Sequence, residues 1–68
     1  MRTQEQFAAI WHQLQWWHNF HKKPVWLVAL EDKYALSVIR PEPSEIAYGT
    51  AANLYDVDGT ILESVVNP

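Results

Sequence analysis

Between Thr3 and His21 the chain carries a helical repeat with more aromatic surface than one small sheet can cover, and the other segments must fit around it. Thr3 is placed to cap this helix, and Gln6 three residues later completes a capping box. Glu5 adds negative charge to the first turn, where the helix dipole favours it. At about 100° per residue, Phe7, Ile10, Trp11, Leu14 and Trp17 fall on one stripe, which His18 and His21 extend. Lys22 and Lys23 suit the negative end of the dipole, and Pro24 stops the helix. The expected span is 3–22.

The opposite face should be polar, and Glu5, His12, Gln15 and Asn19 are. Trp16 and Phe20 share that face, four residues apart and therefore neighbours. Two readings follow. A C-terminal strand or loop wraps over both rings, or the rings form a contact surface for a second copy or another protein.

In a chain of 68 residues the surface buried on folding is modest, which favours one domain over residues 1–68 and marginal stability alone. No cysteine is present, so no disulfide can staple it. Four tryptophans, three tyrosines and two phenylalanines supply bulk instead, and dimerisation would supply more. The net charge of −3 argues against a general nucleic-acid binder. No apolar run is long enough to span a bilayer, and Met1-Arg2-Thr3 leads straight into a polar turn. The expectation is a cytoplasmic protein without membrane contact.

Val25–Leu30 and Tyr34–Ile39 are two apolar runs of strand formers joined by Glu31-Asp32-Lys33. A three-residue loop there predicts a hairpin with Leu30 opposite Tyr34, Val28 opposite Leu36 and Trp26 opposite Val38, all on one face. The other face, with Val25, Leu27, Ala29, Ala35, Ser37 and Ile39, is too apolar for open solvent and asks for a second covering layer. Pro41 and Pro43 make 40–45 a stiff connection at the sheet edge. Ile46–Tyr48 is a candidate short strand ending at Gly49. A second hairpin is expected from strands 51–56 and 60–66, with Leu54 opposite Leu62 and Tyr55 opposite Ile61. Its turn, Asp56-Val57-Asp58-Gly59-Thr60, places Gly59 in the left-handed position.

The fold class is therefore α+β: an N-terminal helix on a small antiparallel sheet of three to four strands, in two hairpins. The predicted core sets Phe7, Ile10, Trp11, Leu14 and Trp17 against Trp26, Val28, Leu30, Tyr34, Leu36 and Val38, completed by Leu54 and Leu62.

Three groups of residues invite a chemical reading. The segment Leu54–Ser64, with Asp56-x-Asp58-Gly59-Thr60, resembles the first motif of the haloacid-dehalogenase-like phosphatases. By that resemblance Asp56 would be the nucleophile and Asp58 the general acid, with magnesium beside them. The later motifs of that family have no counterpart after Thr60, so the segment is read as hairpin-turn chemistry and the chain as no enzyme. His18 and His21, three apart, could share a metal on a helix face, but a pair of histidines bonded to backbone carbonyls fits the pattern better, and no cofactor is expected. Trp16, Trp17 and Phe20 beside Lys22 and Lys23 could act as a base-stacking platform, a reading opposed by the acidic loops.

The favoured function is a small non-enzymatic interaction module that binds another protein, or a second copy of itself, through His12, Trp16 and Phe20. An inhibitor or regulator of the mobile-element type would suit the size. A nucleic-acid-binding domain and a metal-dependent phosphatase-like enzyme are the alternatives.

Overall fold

A computed structural model describes residues 2–68, in the order α1 (Gln4–His21), β1 (Val25–Ala29), β2 (Tyr34–Ser37), one 3-10 turn (Pro43–Glu45), β3 (Thr50–Tyr55) and β4 (Ile61–Asn67). The fold is α+β, with the helix packed on a four-stranded antiparallel sheet of order β2-β1-β3-β4. Among the described residues no helix is long and apolar enough to cross a membrane.

The caps set the helix ends. Gln6 N–H donates to Thr3 Oγ1 at 3.1 Å and Thr3 N–H donates to Gln6 Oε1 at 2.8 Å, so two otherwise orphaned donors satisfy each other's residue. At the far end Lys22 turns left-handed, with φ of 58°, and its N–H donates to the His18 carbonyl at 2.8 Å. Pro24 then prevents continuation.

All of β1 is buried, and its two faces meet different covers. Val25, Leu27 and Ala29 share a face with Tyr34, Leu36 and Tyr55 through their cross-strand pairs. This is the helix face. Phe7 meets Tyr34 edge-on at 5.4 Å, Trp11 meets Tyr55 edge-on at 5.0 Å, and Leu14 and His18 are the buried residues of α1. On the reverse face Trp26, Val28, Ala52 and Val65 pack with Ile46, and Leu30 and Leu54 border the cluster.

The first hairpin differs from its expected register by one residue. Trp26 pairs with Ser37 and Val28 with Ala35, and Leu30 N–H donates to the Lys33 carbonyl at 2.8 Å, drawing Leu30 into the turn. Because side chains alternate with period two, that single step moves Trp26, Val28 and Leu30 to the face away from the helix. It also leaves Val38, expected in the core, outside the sheet and 69 % exposed. In the second hairpin Tyr55 pairs with Ile61 as expected, but Leu54 pairs with Glu63, because a bulge inserts Leu62 as the extra residue. Leu62 is exposed rather than core.

The proline-rich connection is more than an edge linker. It crosses the reverse face, with Pro41 and Ile46 buried, and supplies the second layer that β1 requires. Residues 46–48 form no strand. Ile46 is instead held by Asn67, whose Nδ2–H donates to the Ile46 carbonyl at 2.7 Å, and Ala47 N–H donates to the Ala29 carbonyl at 2.8 Å.

Ile46→Ala is expected to cost about 2–5 kcal/mol of unfolding free energy, the range for a buried aliphatic truncation. Val38→Ala should stay within about 0.5 kcal/mol, as an exposed substitution does. Urea unfolding of both variants checks which face holds the core.

Candidate protein-binding face

The direction of the outer helix face follows from what anchors the inner one. His18 is 5 % exposed, and its Nε2–H donates to the Tyr55 carbonyl at 3.0 Å, which satisfies a polar group that would otherwise be costly to bury. With Leu14 beside it pointing inward, Trp16 lies about half a turn away, since each residue advances roughly 100°. The C-terminal strands do not reach over it. Trp16 is 61 % and Phe20 70 % exposed, which excludes the reading in which a strand or loop covers them.

The two rings stack on each other, centroids 5.5 Å apart and planes 14° from parallel. The cluster then continues round the end of the helix. Phe20 meets His21 edge-on at 5.0 Å, and His21 lies over Trp17 at 4.6 Å. Trp17, His21, Lys23, Pro24 and Val38 border an open depression of about 560 Å³ beside it. Lys22 and Lys23 are exposed at the same helix end.

Of the three expected contact residues, the structure brings Trp16 and Phe20 together. His12 is exposed one turn earlier on the same stripe and makes none of the ring contacts. His21 takes the place beside the rings that the sequence suggested for His12. The helical repeat groups it with the inward stripe, yet it is exposed and packs on Phe20 and Trp17, so only His18 of the expected pair bonds a carbonyl. The available signal for His21 was its position four residues after Trp17, which makes the two neighbours on the helix surface.

The Asp56-x-Asp58-Gly59-Thr60 segment forms the turn between β3 and β4. Asp56 Oδ1 accepts from Val57 N–H at 2.8 Å and Asp58 Oδ1 accepts from Thr60 N–H at 3.0 Å, while Asp56 N–H donates to the Thr60 carbonyl and Gly59 takes φ of 87°. Both carboxylates thus fasten the turn between β3 and β4. The Thr60 hydroxyl, with its backbone N–H, holds the Asp58 carboxyl below its ordinary value of 3.8. Among the described residues no three His, Cys, Asp or Glu side chains converge as a metal site would require.

Because its folded-state pKa is depressed, Asp58 contributes stability that is present above pH 3.8 and is lost as pH falls through the folded value. Thr60→Val should move the Asp58 carboxyl titration upward, towards 3.8, in a side-chain NMR titration. An unchanged midpoint would show that the Thr60 hydroxyl is not the cause.

No known protein-family model, curated protein or solved structure matches the chain.

Proposed function

We propose that the protein is a non-enzymatic protein-binding module whose outer helix face docks into a pocket of a partner protein. The observation that carries this reading is the stacked, solvent-facing pair of Trp16 and Phe20, set half a turn from the buried side of α1. A single exposed apolar residue is ordinary, whereas a contiguous aromatic cluster is informative, and aromatic rings supply contact area at a low cost in side-chain entropy.

Magnitudes set what the face can do. Covering the exposed parts of both rings removes roughly 200–300 Å² from water, about 5–8 kcal/mol before costs. Association loses an estimated 4–15 kcal/mol of rigid-body freedom, so two rings alone do not give a tight complex. The neighbouring Trp17, His21 and Val38 extend the same surface and supply further apolar area. His12 and Asn19 provide a polar rim, and Lys22 and Lys23 favour a partner with acidic groups near its pocket. The mode of action is occlusion of whatever that pocket otherwise receives.

The test compares wild type with a Trp16→Ala, Phe20→Ala double variant in affinity capture from extracts of the source cells. The double variant should keep its fold by circular dichroism and lose the proteins that the wild type retains. Retention of the same proteins by the folded double variant, or its collapse as a core variant would collapse, contradicts the proposal.

A further inference from the structure

We propose that the free edge of β4 pairs antiparallel with β4 of a second copy, about a two-fold axis at Ser64, and joins the two sheets into one.

The sheet has two edges, and they are built differently. β2 is short, lies beside α1, and runs out into Arg40-Pro41. β4 spans seven residues with neither proline nor lysine among them, two of the devices by which natural edges block further pairing, and Glu63 is its one charged residue. Its bulge affects only the Ile61–Leu62 end. The helix lies against β1 and β2, and among the described residues its backbone makes no close approach to β4. Leu62 is 51 % and Val66 55 % exposed as a result. Both share the helix-side face with Ser64, which pairs with Asn53 and bonds its side chain, Ser64 Oγ–H donating to Asn53 Oδ1 at 2.6 Å.

The strand selects its own register. A two-fold axis perpendicular to the sheet keeps each face on its side, and directly opposite residues of an antiparallel pair share a face, so the axis must pass through a residue. At Glu63 it would set two carboxylates directly opposite each other, which is destabilising. At Val65 it would set Leu62 opposite Pro68, which has no N–H to donate. At Ser64 it sets Leu62 opposite the second copy's Val66 and Glu63 opposite its Val65. Each Glu63 is paired within its own chain with Arg40, whose Nε–H donates to Glu63 Oε2 at 2.5 Å. Strand β4 is thus self-complementary in that register.

Pairing at β4 covers apolar side chains and satisfies a row of backbone groups at once. The dimer carries both helices on the same side of one continuous sheet, with the Trp16–Phe20 faces still open. It is a divalent form of the binding module, and it rests on the sheet edge, independently of what the helix face binds.

The wild type should sediment at twice the chain mass of 7.9 kDa, and Leu62→Lys with Val66→Lys should raise the dimer dissociation constant about tenfold or more. The chain has no cysteine, so Ser64→Cys introduces a single thiol. Directly opposite Cα atoms lie about 4.5–5.5 Å apart, within disulfide reach, so mild oxidation should link the Ser64→Cys protein to itself. Leu62→Cys should link to Val66→Cys in a mixture and not to itself. A wild type that stays at 7.9 kDa up to its highest soluble concentration overturns the proposal. So does a dimer that Trp16→Ala with Phe20→Ala dissolves while the lysine variants remain dimeric, because the second copy would then sit on the helix. If the lysine variants unfold, the cross-linking pattern decides: failure of Ser64→Cys to link in a dimeric sample refutes the Ser64 axis.

Discussion

Strand β1 is apolar on both faces, and the rest of the chain is arranged to keep water off it. A strand of this kind usually sits inside a large α/β sheet with helices on each side. Here one helix covers Val25, Leu27 and Ala29, and a proline-stiffened connection, with Pro41 and Ile46 buried, covers Trp26 and Val28. The connection holds its place through two backbone-directed bonds, from Asn67 to the Ile46 carbonyl and from Ala47 to the Ala29 carbonyl. Ile46 seats against the sheet in one cluster with Trp26, Val28, Ala52 and Val65, where the small Ala52 offsets the bulk of Trp26.

That doubly buried strand also explains what could and could not be read from the sequence. The helix was legible because its signals are local: the Thr3–Gln6 box, the lysines and Pro24 all act within a turn of their positions. The hairpin register was not. When both faces of a strand are apolar, a slip of one residue trades one apolar set for another, so Val25-Leu27-Ala29 and Trp26-Val28-Leu30 look equally suited to the helix. The deciding contact, Leu30 N–H to the Lys33 carbonyl, is a turn detail with no side-chain signature. The bulge at Leu62 is of the same kind. The need for a second layer was readable from composition, but its identity was not, because prolines at 41 and 43 report stiffness and say nothing of where the stiff segment lies.

The aromatic residues took roles that composition alone does not assign. Phe7, Trp11, Trp17, Trp26 and Tyr34 belong to the core expected from the sequence, yet of the four tryptophans only Trp26 is buried. Trp11 and Phe7 seal the seam between helix and sheet against Tyr55 and Tyr34. Trp16 and Phe20 stand outside it. Their exposure could be read from helix phase, since the inward stripe fixes the outward one. The contact of His21 with Trp17 follows from their spacing of four, but its absence from the inward stripe does not, because that depends on which histidine reaches the end of β3. His18 meets the Tyr55 carbonyl, and His21 is thereby left for the rings.

Stacking of Trp16 on Phe20 bears on the proposed docking of this face. Each ring covers part of the other, so the chain lowers the water-exposed area it would otherwise carry and holds the pair in one relative orientation before any partner arrives. Less rotamer freedom is then lost on docking, which matters when the gross gain of two rings is comparable to the rigid-body cost of association. The layered architecture aims this face away from the sheet, while the free edge of β4 opens sideways in the plane of the sheet. Surfaces at right angles can be occupied together. A contact along the edge would fix two ring pairs at a set spacing, and divalent display converts the second docking event into an intramolecular one when a target offers two sites. For the proposed module, with so small a contact face, added valency would raise affinity without enlarging the face.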